Sequence, residues 1–123
     1  MLPYSRQVFI INTDTGTQGD TGPPFSGEIH QMRWYPTTAD TGADLVVMLR
    51  PEDDDTGSGW IFYNNNDVLG TQFTIAPRMS ITTNIDGTTD TGWGTIMGAG
   101  DRLRVKVTPG GAACVGKLWV WIR

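Results

Sequence analysis

Asp-Thr-Gly occurs five times in this chain, at 14–16, 20–22, 40–42, 55–57 and 90–92. Two such Asp carboxylates held together share one proton and activate a water for peptide hydrolysis. Other residues also have the types that do chemistry. Glu52-Asp53-Asp54-Asp55 clusters carboxylate oxygens of the kind hard cations take. His30 is the single histidine and Cys114 the single cysteine.

The stretch Asp40-Thr41-Gly42-Ala43-Asp44 resembles the retroviral protease motif, in a chain that would have to give one Asp from each of two copies. Three features oppose this reading. Asp40 follows Pro36-Thr37-Thr38-Ala39, which is turn-like, where an apolar strand should lead in. The apolar-apolar-Gly segment that should pack beneath the loop has only Val68-Leu69-Gly70 to offer. Five copies in polar stretches suit a local role: Asp accepts bonds from nearby backbone N–H groups and Gly supplies positive φ. The triplets are therefore expected in turns and loops, with no catalytic residue and no enzymatic activity. Their spacings of 6, 20, 15 and 35 residues follow no repeat period.

The remaining candidates reduce similarly. The acidic run lacks the ligand spacing of a helix–loop–helix calcium site, so a solvated loop is expected, with no metal and no cofactor. No Ser/His/Asp set can be placed around His30. Cys114 sits between Gly110-Gly111-Ala112-Ala113 and Val115-Gly116, without a base or metal partner. A packed or turn-flanking thiol is expected there, and one cysteine excludes an internal disulfide.

The elements that must position these residues are strands. The sequence predicts strands at 6–12, 27–35, 43–50, 60–63, 71–76 and 79–85, with Pro36 and Pro51 as terminators. The uneven pattern Ile29, Met32, Trp34, Tyr35 implies a bulge or burial on both faces. Residues 13–24, with Pro23-Pro24, read as an exposed loop. Asn64-Asn65-Asn66-Asp67 reads as a turn. At the end, Leu103, Val105 and Val107 alternate with Arg102, Arg104 and Lys106. After Thr108-Pro109-Gly110-Gly111, Leu118, Val120 and Ile122 alternate with Lys117, Trp119, Trp121 and Arg123. This reads as an antiparallel hairpin with one core face. No segment has helical periodicity free of Gly or Pro. The fold expected is an all-β antiparallel sandwich of about seven or eight strands, jelly-roll or immunoglobulin-like. It is one domain, with a strand and exposed arm over 1–26 and the sandwich body over 27–123.

The net charge of −4 hides an asymmetry: residues 1–100 sum to −8 and residues 101–123 to +4. The basic, tryptophan-bearing side of the final hairpin is the candidate partner-binding surface: Arg102, Arg104, Lys106, Lys117, Trp119, Trp121 and Arg123, with the N-terminal arm. Two readings of the tryptophans stay open. Either they pack under loops, or they form an exposed patch of the residue types that dominate protein interfaces. Basic and aromatic residues together also suit nucleic acid, but an acidic chain disfavours it, so no nucleic-acid partner is expected. No apolar run reaches membrane-spanning length, and the start, Met1-Leu2-Pro3-Tyr4-Ser5-Arg6, lacks signal-peptide character, so synthesis in a cytoplasm and no membrane partner are expected.

From Gly27 onward the order of features resembles small β-sandwich virion proteins of tailed phages, of the capsid decoration (cement) type. The resembling stretches are 27–35 (GEIHQMRWY), 41–47 (TGADLVV), 59–66 (GWIFYNNN), 75–78 (IAPR), 100–107 (GDRLRVKV) and 116–122 (GKLWVWI). The resemblance implies a protein on the capsid exterior, bound to the major capsid protein, often as a homotrimer, and stabilising the shell by binding alone. The alternatives are a tail, baseplate or host-contact virion protein, and a carbohydrate-binding sandwich using Trp60, Trp93 or Trp34.

Overall fold

Strict alternation at Leu103, Val105 and Val107 is the clearest strand signal in the chain, and all three side chains are fully buried. The computed structural model describes residues 5–13, 16–38, 42–50, 59–82, 90–111 and 113–123, except the side chains of 79–82 and 90–93. Nine strands form among them. They are β1 (Ser5–Asn12), β2 (Gln18–Thr38), β3 (Asp44–Arg50), β4 (Trp60–Asn65) and β5 (Phe73–Ile75), then β6 (Met79–Thr82), β7 (Asp90–Gly94), β8 (Ile96–Thr108) and β9 (Val115–Ile122). No helix occurs among the described residues.

The main sheet runs β1-β9-β2-β8-β3-β4, with β5 also on β2, and all its pairs are antiparallel. The long strand β2 organises it. Its first half pairs with β8, Gln18 opposite Val107 through Ile29 opposite Ile96. Its second half pairs with β9, Ile29 opposite Ile122 through Thr38 opposite Val115, and with β5. The change of partner falls near Gly27, which holds φ +136, a conformation that L side chains rarely adopt. One half of the sandwich is thus β1, β9, β5 and the end of β2. The other is the start of β2 with β8, β3 and β4.

Alternate residues of both halves meet in one core. Phe9, Ile11, Leu118, Val120, Ile122, Met32 and Trp34 come from the first half. Leu45, Val47, Leu49, Leu103, Val105 and Val107 come from the second. Trp34 is 1% exposed and donates its Nε1–H to the Leu69 carbonyl at 3.2 Å, so its one polar atom is satisfied. Cys114 is buried in the same cluster, as a packed thiol. The expected irregularity of the second strand is a bulge: Ile29 opposes Ile122 and Gln31 opposes Trp121, leaving His30 as the extra residue.

Four expectations are corrected. Residues 13–24 are not a loop throughout, because β2 begins at Gln18. Pro23 and Pro24 fit within the strand because the register breaks between Thr21 and Pro24, where a missing N–H removes no regular ladder bond. Pro36 does not end its strand either; it lies opposite Gly116 and the pairing continues to Thr38. The Asp-Thr-Gly triplets are not uniformly turns. Those at 20–22 and 90–92 lie in β2 and β7. Gly16, at φ +117, donates to the Thr13 carbonyl in a tight turn, and Gly42 lies in a turn against Gly110. Asp14, Thr15, Asp40, Thr41 and the triplet at 55–57 lie outside the described residues, as does the acidic run 52–55.

The fourth correction concerns the final hairpin. β8 and β9 do not pair with each other. β8 lies between β2 and β3, and β9 lies between β1 and β2. A Pro-Gly-Gly turn reverses the chain but does not choose its partner strand. Here the connection after Thr108 crosses from one half of the sandwich to the other. Bare Gly110 backbone packs on Gly42 as it does so, too close for a side chain: a Cβ on Gly110 would lie 2.3 Å from the Gly42 carbonyl carbon.

Candidate interaction face

Because Leu118, Val120 and Ile122 point into the core, Lys117, Trp119 and Trp121 of β9 must point out. Register then decides their neighbours. Val8 of β1 and Arg33 of β2 flank Trp119, while Arg6 and Gln31 flank Trp121. Ile10 and Tyr35 flank Lys117 in the same way. Three rows of three side chains therefore stand on the outer face of this half.

The side chains interlock diagonally. The Arg6 guanidinium leaves its own row and lies 4.0 Å from the Trp119 ring centroid. The Arg33 guanidinium lies 5.0 Å from the Trp121 ring. Trp119 and Trp121 are tilted against each other at 5.6 Å, and Tyr35 meets Trp119 at 5.1 Å. Arg33 is further held by Gln31 Oε1 at 3.1 Å and the Tyr35 hydroxyl at 3.4 Å. A guanidinium over a Trp face contributes about 0.5–1 kcal/mol at an exposed site. The two stacked pairs thus fix the arginines rather than leaving them to sweep through solvent.

The borders of the face differ. At one end Val8 and Ile10 are exposed, Ile10 at 66%. At the other, His30, Gln31, Arg33 and Trp121 line an open depression of about 280 Å³. Arg6, Arg33 and Lys117 make the face cationic. Among the described residues of β1, β9, β5 and the end of β2, the acidic side chain on this outer side is Glu28, and it is paired with Arg123 beyond the Trp121 row.

The sequence-predicted surface is therefore divided. Lys117, Trp119 and Trp121 come together here. Arg102, Arg104 and Lys106 lie on the outer side of the other half, where Arg104 donates to the Thr21 hydroxyl and lies over Gly19. Arg102 stands opposite Arg50 of β3. Arg123 marks the end of β9 and pairs with Glu28 at 3.6 Å, beside two backbone hydrogen bonds between the same residues. Arg6, Arg33 and Tyr35 were not singled out as site residues from the sequence. The alternation of Arg6, Val8 and Ile10 against Phe9 and Ile11 was the available signal for the first of them.

Neither open reading describes the tryptophans as they stand: Trp119 and Trp121 are half-buried, and among the described residues they are covered by arginines, by Tyr35 and by each other. Of the tryptophans considered for sugar binding, Trp34 is buried in the core and Trp60 is 45% exposed on the edge strand β4. The Trp93 side chain lies outside the described residues. No three His, Cys, Asp or Glu side chains converge among the described residues.

No family model matches the chain, and no curated protein does. Among solved structures it is similar to a chain in the structure of infectious bursal disease virus Gx strain. Identity is 15% and the TM-score is 0.38, over 97% of this chain and 32% of that one. The chain thus spans about a third of the length of that viral chain, at a TM-score that does not establish a common fold.

Proposed function

We propose that this chain is a structural protein of a tailed-phage particle, a decoration or cement protein that binds the outer capsid surface and stabilises the shell. The observation that carries the proposal is the outer face of β1, β9 and β2. It presents Trp119, Trp121, Tyr35, Arg6 and Arg33 together, the residue types that dominate protein–protein interfaces. The resemblance from Gly27 onward supplies the kind of particle, and the major capsid protein is the partner it implies. A homotrimer on the capsid exterior is part of the same proposal. The mechanism is binding alone: a ligand that binds only the assembled shell stabilises it by mass action.

The test is co-sedimentation with particles assembled without this protein. Trp119→Ser with Trp121→Ser is expected to abolish binding while the β-type circular dichroism persists. Undiminished occupancy by the double variant overturns the proposal. Imaging of labelled particles separates capsid from tail: label confined to the tail or baseplate also overturns the decoration role.

A further inference from the structure

We infer that the partner surface of this face is an acid-rich protein surface, its carboxylates received by the two guanidiniums that lie on Trp119 and Trp121. The inference rests on the proposed binding role and names the chemistry of what is bound.

Charge gives the sign. Arg6, Arg33 and Lys117 stand on the face, and the one carboxylate on this side of the described strands, Glu28, is paired with Arg123, which leaves the patch net cationic. The chain as a whole is at −4, so this cationic patch runs against the average and is matched to an anionic partner.

Geometry gives the class of anion. A nucleic-acid base or a sugar ring needs a bare aromatic face to stack on. Here guanidiniums already occupy those faces, at 4.0 and 5.0 Å. A guanidinium lying on an indole keeps its in-plane N–H donors for other partners, and a free fork matches a carboxylate with two parallel hydrogen bonds. The Arg6 side chain makes no hydrogen bond to the described residues, so its guanidinium donors are available. Arg33 uses Nε and one terminal nitrogen on Gln31 and Tyr35, which leaves its other terminal nitrogen. Phosphate would also fit the fork, but single-stranded nucleic acid draws much of its binding from base stacking, which the covered indole faces do not offer. Exposed Val8 and Ile10 border the arginines, which suits aliphatic side chains beside the partner's acids.

The experiment uses three sets of variants in the particle-binding assay: Arg6→Glu with Arg33→Glu, Arg6→Lys with Arg33→Lys, and Trp119→Ser with Trp121→Ser. Charge reversal is expected to weaken binding by about a hundredfold, as loss of close charged pairs does at interfaces. Lysine is expected to weaken it by about tenfold, because it keeps the charge and loses the planar fork. Met97→Lys, at an exposed site on β8, is expected to bind as wild type. Tryptophan fluorescence titrated with poly-L-glutamate and with a 20-mer of oligo-dT compares the two anion classes, and poly-L-glutamate is expected to bind more tightly. Wild-type binding by the Glu variant, with loss in the Ser variant, overturns the carboxylate inference and leaves the proposed function standing. Wild-type binding by both overturns the face itself. Tighter binding of oligo-dT makes the partner a nucleic acid and overturns the inference. Self-association of the isolated chain that the Glu variant abolishes makes the acidic occupant a second copy, through a run such as Glu52–Asp55, and overturns a foreign partner.

Discussion

Thr13 is the single buried polar residue among those described, at 3% exposed, and it closes the core where β1 ends. Its N–H donates to the Cys114 carbonyl at 3.0 Å, and its hydroxyl accepts the Cys114 N–H at 2.9 Å. These two bonds tie the end of β1 to the start of β9, a hundred residues later. Valine in place of Thr13 keeps the shape and leaves the Cys114 N–H buried without that acceptor, which costs about 1–3 kcal/mol. We expect Thr13→Val to lower the urea midpoint accordingly, and Thr13→Ser, which keeps the hydroxyl, to recover most of the loss. Equal midpoints for valine and wild type would show that the bond contributes nothing net. Nothing in the local pattern marks this role, because a threonine before Asp-Thr-Gly reads as one more turn residue. The tryptophans of the face were legible for the opposite reason. Alternation with Leu118, Val120 and Ile122 assigns Trp119 and Trp121 to the outer side from local pattern alone. Arg33 could not be assigned with them, since its place beside Trp119 depends on the pairing of strands 86 residues apart.

Among elements, β2 was the least legible and β8 the most. Apolar alternation names the second half of β8, Arg102 to Val107, without ambiguity, whereas the first half of β2, Gln18-Gly19-Asp20-Thr21-Gly22-Pro23-Pro24, has the composition of a loop. It is a strand because β8 offers it a ladder and because it borders β1. There Gln18 acts as a substitute for strand backbone. Its Oε1 accepts the Asn12 N–H, and its Nε2 donates to the Ile10 carbonyl at 2.9 Å. Gln7 makes a similar link to the Pro23 carbonyl. β1 ends the strand order, and an edge with unpaired backbone groups is a template for unwanted pairing. Gln18 closes part of that edge without adding a strand. Gln18→Ala is expected to destabilise the chain by about 1 kcal/mol. The Asn12 amide should exchange with deuterium faster than in wild type, while the Leu118 and Val120 amides of β9 change little. Unaltered Asn12 exchange would sink the argument.

For the whole molecule, the consequence of sharing β2 is that neither half of the sandwich has a core of its own. Phe9, Trp34 and Leu118 of one half and Leu103, Val105 and Leu49 of the other belong to one buried cluster. The sequence supported a single all-β domain on length and alternation. It did not show that one 21-residue strand passes through both halves, because strand partners are long-range facts and the turn after Thr108 pointed to a hairpin that does not form. A domain built this way should unfold in one step, since opening either half strips β2 of its partners and exposes the other half's apolar face. Leu103→Ala tests this from the side remote from the tryptophan face. Leu103 is fully buried opposite Leu49, and truncating such a leucine costs about 2–5 kcal/mol. That is a large share of the roughly 5–15 kcal/mol typical of a domain. Far-UV circular dichroism follows all strands, while three of the five tryptophans, Trp34, Trp119 and Trp121, lie in the half without Leu103 and report on it by fluorescence. Both signals are expected to shift to the same lower urea midpoint and to remain superimposable. If the fluorescence transition kept its wild-type midpoint while the dichroism moved, the halves would be unfolding separately, and the role assigned to β2 would be wrong.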